Sequence, residues 1–348
     1  MIRPATLFLA IISTLAPAAL QSQDTARTRA AYTAVTALRN DYERQFGHFV
    51  TVNGLRMHYL EWGDKNGVPL VWAHGNSTTA YEIRAVAPRL AQAGYRVLAV
   101  DCRGHGLTRV TDYDFTIHHI ADDLIGLLDS LKIPAAVFGG SNKGGFVAAA
   151  VYDHYPNRVL GLLMADGGTW SSQWIVDRQT PEEARRRMSD PIPQISGPSE
   201  FDVFRRVAGF IPPGDVSAEQ TLDMLERIGP VDGAWAFLPA FDRMVASNED
   251  LSSGMTRPST LPPLQWSEQA LIPRAVFRHL HVPMMILDPQ DDRDVVPATD
   301  QNERLAKDHP DLVTIRVYAQ TRQGALSRPD WFVRDAVELL DQVRRRRR

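Results

Sequence analysis

Apolar runs of strand type alternate with segments of helical apolar spacing, and that alternation predicts an α/β protein. The expected architecture is a mostly parallel, doubly wound sheet of about eight strands, interrupted by an inserted helical cap. Three observations carry it. Short apolar runs recur with a glycine-rich or aspartate-rich loop at the end of each. Helix-type segments separate them. Between Thr169 and about His279 the pattern breaks and then resumes.

Residues Asp24 to Gln45 are polar, with Tyr32, Val35, Leu38 and Tyr42 at helical spacing, so an amphipathic helix leads. Phe49 to Val52 and Leu55 to Trp62 flank Asn53-Gly54, a strong hairpin signal. Pro69 to Ala73 reads as a buried strand ending in His74-Gly75-Asn76-Ser77, and a helix over Tyr81 to Ala93 is stopped by Gly94. Tyr95 to Val100 is a strand leading into Asp101-Cys102-Arg103-Gly104-His105-Gly106, followed by a helix over Ile117 to Leu131. Ala135 to Phe138 is a short strand and Phe146 to Tyr155 a helix closed by Pro156. Val159 to Ala165 is the next strand, ending in Asp166-Gly167-Gly168. The interrupting segment is rich in Pro, Gly and Trp, with helices expected near Pro181 to Met188, Glu200 to Ala208 and Ser217 to Ile228. Val282 to Leu287, Ala298 to Lys307, Val313 to Tyr318 and Trp331 to Val343 then read as strand, helix, strand and helix.

A chain of 348 residues can bury a large core as one domain with an insertion, or as two. Hydrophobic residues make up 44% and charged residues 23%, as in ordinary soluble proteins. The net charge of −3 argues against nucleic acid as the main partner. One cysteine, Cys102, excludes an internal disulfide and leaves no cysteine cluster for a metal; no cofactor motif is recognised. Arg3 precedes an uncharged run from Ala5 to Leu20, with Ala16-Pro17-Ala18 resembling a small-residue cleavage site. Residues 1–20 therefore read as a signal peptide, and the protein as secreted or periplasmic. The expected divisions are a first core part over 21–168, a cap over 169–280 and a second core part over 281–348.

The stretch Gly139-Gly140-Ser141-Asn142-Lys143-Gly144-Gly145 joins a strand to a helix, as the G-x-S-x-G elbow does. Its register is set by size. With Asn142 at the apex, Gly140 and Gly144 fall two before and two after, where strand and helix backbones must approach closely. With Ser141 at the apex, the long Lys143 side chain would fall there instead. A carboxamide is not a nucleophile that forms an acyl-enzyme.

With these motifs in order, the chain resembles the α/β-hydrolase fold superfamily, as a capped, esterase-like member, over about Phe46 to the C-terminus. The resemblance implies oxyanion-hole amides at Asn76 and Lys143, and an acid at Asp292 or Asp291, with Asp166 a less usual alternative. It implies structural roles for His74, Asp101 and Arg103. The family histidine falls where this chain has Arg322, which stays protonated and cannot act as a base but can pair with a carboxylate. The later histidines, His279, His281 and His309, lie elsewhere, and His118 and His119 sit on a helix start; all read as surface or packing residues. With nucleophile and base both substituted, the resemblance implies a weak or inactive hydrolase that binds a small apolar or acyl ligand, or a protein partner. The alternative is an active hydrolase of small carboxylic esters with non-standard groups, such as Ser141 with Lys143. Eight aromatics of the insertion region (Trp170, Trp174, Phe201, Phe210, Trp235, Phe237, Phe241 and Trp266) could form a pocket or a packing core.

Overall fold

The computed structural model describes residues 25–76, 78–171, 195–208, 218–237, 262–290, 298–319 and 324–347. They fall into two compact units, one formed by the described parts of 1–45 and 179–261, the other by those of 46–178 and 262–348.

The larger unit carries an eight-stranded sheet. Its strands are β1 (Gly47–Val52), β2 (Leu55–Trp62), β3 (Val68–Ala73), β4 (Tyr95–Val100), β5 (Ala136–Ser141), β6 (Val159–Ala165), β10 (Met284–Asp288) and β11 (Val313–Val317). The order is β1-β2-β4-β3-β5-β6-β10-β11, antiparallel for β1/β2 and β2/β4 and parallel from β4 onward. Asn53 and Gly54 close the first hairpin with φ of 48° and 78°, both left-handed as a two-residue primed turn requires. The central strands are buried on both faces: every residue of β4 is buried, including Arg96, which is paired with Glu61 at 2.8 Å, as expected of strands covered by helices on each side.

Those helices are α2 (Ala87–Ala93), α3 (Ile117–Ser130), α4 (Lys143–His154), α9 (Thr299–Asp308) and α10 (Pro329–Arg346). The expected single helix over Tyr81 to Ala93 is instead a 3₁₀ turn, Ala80–Ile83, followed by α2. Pro88 explains the break. It lacks an N–H, and its ring would meet the carbonyl four residues earlier, so it is accommodated only in the first turn of a new helix. Gly94 then ends α2 at φ 105°.

Residues 262–280 were expected in the cap, but the contacts place them with the core. Helix α7 (Pro263–Ala270) lies on α3, where Ser267 Oγ accepts the Ile117 N–H at 2.9 Å, satisfying one of the free donors of that helix start. The short α8 (Pro273–Val276) follows.

In the smaller unit, α1 (Thr25–Phe46) brings Tyr32 and Arg39 to the Glu200 carboxylate of α5 (Glu200–Ala208). The leading helix therefore groups with the insertion rather than with the core over 21–168. A three-stranded sheet accompanies α5 and α6 (Ala218–Leu225): β7 (Ser196–Gly197), β8 (Ile228–Val231) and β9 (Ala234–Phe237), in the order β7-β9-β8. The insertion is therefore not wholly helical. Asp232 and Gly233, with φ of 47° and 84°, form the β8–β9 turn, a sequence signal as explicit as Asn53-Gly54. Among the insertion aromatics, Phe201 packs edge-on against Tyr32 at 5.3 Å, a packing role; Trp170 stands against Phe146 of the larger unit at 5.1 Å. Trp174, Phe210, Phe241, the helix expected near Pro181 to Met188 and the leader 1–20 lie outside the described residues.

Candidate functional site at the strand ends

The parallel strands deliver His74, Asp101, Asn142 and Asp166 to one edge of the sheet, each just beyond a strand's carboxyl end or at its last turn. At the centre, β5 turns into α4 through Asn142, whose φ of 47° and ψ of −117° are costly for a side-chain-bearing residue. The turn is held from several sides. Asn142 donates its N–H to the Ala165 carbonyl at 2.9 Å, and Gly145 donates to the Asn142 carbonyl at 3.0 Å. A Cβ on Gly144 would come within 2.6 Å of the Ala73 carbonyl carbon, and one on Gly140 within 2.6 Å of the Gly144 oxygen. Glycine is demanded on both sides of an apex occupied by Asn142. The Asn142 side chain is exposed and makes no capping bond to α4.

Ser141 points another way. Its hydroxyl donates to Glu82 Oε1 at 2.7 Å, and the same carboxylate receives Trp72 Nε1–H at 3.0 Å and the Gly75 N–H at 3.3 Å. Burial pushes the Glu82 pKa up, and these three donors pull it part-way back. Lys143 is 2% exposed, and its Nζ lies 3.0 Å from His105 Nε2. Burial drives its pKa down, while Cys102, Glu268 and Glu82 oppose the shift. His105, desolvated and facing Lys143, is pushed down to about 3 and is neutral at physiological pH. Its Nδ1 lies 3.3 Å from the Arg103 carbonyl, and its Nε2 faces both Lys143 Nζ and, at 3.2 Å, the Asn76 carbonyl, so the tautomer sets which nitrogen donates. Glu268 of α7 is pushed up to about 7 by burial, with Lys143 drawing it back. Ser141 and Lys143 thus engage Glu82 and His105 respectively, rather than each other.

His74 holds its loop: the ring interacts through Nδ1 with the Gly75 carbonyl at 2.7 Å and accepts the Cys102 N–H on Nε2 at 3.2 Å. Asp101 receives the Ala80 and Leu107 N–H groups, each at 2.8 Å, and faces His58 Nδ1 at 2.7 Å. Arg103 grips Asp123 with two bonds of 2.7 Å. All three are structural ties. Asn76 is exposed, and Asp166 stands at φ 59°. Asp291, Asp292 and Arg322 lie outside the described residues.

Sequence reasoning passed over Glu82, Glu268 and Asp288. Glu82 and Glu268 look like ordinary helix-face acids in the sequence. Asp288 closes β10 and is 2% exposed, with a pKa raised by burial and drawn back by Asn302, Thr299 and Gln290. Its sequence signal was an acid at a strand's carboxyl end, the feature that singled out Asp101.

Residues 68–200 match the family model of the α/β hydrolase fold. The fold is that of the α/β hydrolases. This α/β-hydrolase-fold chain is 32% identical over 117 residues to a haloalkane dehalogenase of Mycobacterium marinum, covering 32% of this chain and 39% of that protein. It is 39% identical over 102 residues to epoxide hydrolase A of Mycobacterium tuberculosis, covering 28% of this chain and 31% of that one. The matches thus span well under half the length of these curated relatives. The crystal structure of E-2-(acetamidomethylene)succinate hydrolase superposes with a TM-score of 0.60 at 18% identity, over 85% of this chain and 98% of that one. A thermophilic esterase from Thermogutta terrifontis gives 0.55 at 20% identity, over 85% and 98%.

Proposed function

We propose that this chain is a hydrolase-fold binding protein in which Asn142 occupies the nucleophile position and no acyl-enzyme forms. The observation that carries the reading is the apex itself. The residue held at φ 47° and ψ −117° between β5 and α4 ends in a carboxamide, and the neighbouring serine hydroxyl is committed to Glu82. In this reading Arg322 takes the place of the base, paired with Asp291 or Asp292 at the acid position. The amides of Asn76 and Lys143 would retain their oxyanion-type role, since backbone donors do not depend on side-chain identity.

The ligand is a small acyl compound whose apolar body carries an anionic oxygen. Lys143 supports this: its buried amine meets a neutral imidazole, and among the described residues no carboxylate forms an ion pair with it. An anion at the start of α4 would gain both this group and the helix N-terminus. A protein partner remains the other occupant considered, and export is proposed from the leader sequence.

The test combines turnover and binding. Short p-nitrophenyl esters, styrene oxide and 1-bromobutane should be turned over no faster than by an Asn142→Ala variant, while butyrate and hexanoate should bind saturably by calorimetry. Turnover well above background that disappears in Ser141→Ala would overthrow the reading. Asn142→Ser combined with Arg322→His should gain ester hydrolysis if the remaining shell is competent.

A second reading, an active hydrolase with non-standard groups, is favoured by the relatives' names as haloalkane dehalogenase and epoxide hydrolase. Turnover of any of these substrates well above background that is lost in Ser141→Ala or Lys143→Met would select it.

A further inference from the structure

On the outside of the larger unit, away from the strand-end site, the first turn of α3 meets the last turn of α4. His118 is the second residue of α3; Asp153 and His154 are the last two of α4. The two imidazole rings stack at 4.3 Å between centroids and 24° between planes. Asp153 Oδ2 lies 3.6 Å from His118 Nε2, too far for a hydrogen bond. One donor atom from each of the three residues falls within 4.8 Å of the others.

We propose that His118, Asp153 and His154 form a site for a divalent transition-metal ion of the zinc class, clamping the start of α3 to the end of α4.

Stacked imidazoles offer little reason to be there as cations, because two positive rings at this separation repel. As neutral rings they present ligand lone pairs. Beside the rings, the Asp153 carboxylate supplies the negative charge that a bound cation would need. Asp122 adds negative charge nearby, raising the His118 pKa while its own carboxylate accepts the Tyr155 hydroxyl at 2.7 Å. His119, the neighbour on α3, is excluded as a ligand because its Nδ1 accepts the Thr116 N–H at 3.0 Å in the helix cap.

Two nitrogens and one carboxylate oxygen are a donor set that suits zinc, leaving water for a fourth position. Tetrahedral bonds of about 2.0–2.1 Å place donors about 3.3 Å apart. Reaching that geometry needs a contraction of about 1.5 Å at most, within reach of side chains that are 30% (His118) and 42% (Asp153) exposed.

The test is calorimetric titration of ZnCl₂ into metal-stripped full-length protein, with thermal melting in parallel. One zinc per chain is expected. His118→Ala and His154→Ala should each weaken binding at least about tenfold, and Asp153→Asn should weaken it less. Zinc should raise the melting temperature of the wild type but not of the His118→Ala/His154→Ala double variant. Melting and circular dichroism without metal confirm that the variants are folded; Asp153→Asn, an exposed isosteric change, serves if either alanine variant is not. No saturable binding up to ~100 μM zinc would overturn the proposal, since affinities weaker than that are of the order any exposed histidine supplies. Equal zinc affinity in wild type and folded variants would overturn it too.

Discussion

Gly144→Ala tests the elbow most directly. The added Cβ would sit 2.6 Å from the Ala73 carbonyl carbon and 3.0 Å from the His74 carbonyl oxygen. Comfortable separations between carbon atoms are about 3.5–4.0 Å, so the start of α4 would have to withdraw from β3 by about 1 Å. That movement strains the β3–β5 ladder, where Ala73 and Gly140 are register partners, and the Asn142–Ala165 hydrogen bond beside it. Overpacking costs about 1–3 kcal/mol when side chains can yield. Here the obstacle is backbone, so the loss should reach or exceed about 3 kcal/mol despite alanine's better helix propensity. The control is Gly126→Ala within α3, whose new Cβ would meet Val52 Cβ at 3.2 Å. There a side-chain contact that a shift of a few tenths of an ångström relieves opposes a propensity gain of up to about 1 kcal/mol, and stability should stay within about 1 kcal/mol of wild type. Urea unfolding followed by tryptophan fluorescence measures both. If Gly144→Ala is as stable as Gly126→Ala, the close-packed elbow with Asn142 at its apex is wrong.

Other expectations concern the buried polar groups. Because the Glu268 pKa is raised from 4.5 to about 7, its contribution to stability is fully present below about pH 4.5 and is lost as pH rises through 7. Glu268→Gln should remove that dependence, seen as a wild-type-minus-variant difference in melting temperature that falls steadily from pH 4.5 to 8 as the wild type loses stability relative to the variant; a pH-independent difference would refute it. Lys143 has a depressed pKa, so the folded state is penalised at every pH below its folded value, and the penalty fades as pH climbs toward 10.5. Lys143→Met should therefore raise the melting temperature near neutral pH while weakening carboxylate binding at least about tenfold; a less stable variant with intact binding would contradict both roles. Ser141→Ala should cost about 1–3 kcal/mol by removing a donor from the Glu82 carboxylate, read from urea denaturation, with no measurable loss as the refuting result. Sequencing the N-terminus of material exported from a bacterial host should show cleavage near Leu20, and an intact Met1 would count against the leader.

The sheet could be read from the chain because its evidence is local. Val97, Leu98, Ala99 and Val100 are apolar without interruption, and they are buried on both faces. The tight turn between β5 and α4 was legible for a similar reason, since Gly140 and Gly144 flank three residues with Asn142 at the centre. What escaped depends on partners far away in sequence. Nothing in Pro263 to Ala270 announces that Ser267 will receive a backbone N–H from Ile117, 150 positions earlier. Glu82 is unremarkable until Trp72, Gly75 and Ser141 are seen to converge on it. The β8–β9 hairpin is a different kind of miss. Asp232-Gly233 was readable, but Gly229-Pro230 within β8 is poor strand sequence, and the helical spacing before it extended the helix assignment too far.

The association of α1 with α5 bears on how the protein can be shortened. Glu200 holds two hydrogen bonds from Arg39 and one from Tyr32. An expression form beginning at Phe46, the natural choice from the sheet alone, would discard all three donors and strip Phe201 of its aromatic neighbour. Trimming only to Thr25 keeps that residue set whole. The helix ahead of the first strand is thus a working component of the insertion, delivered from the far end of the polypeptide.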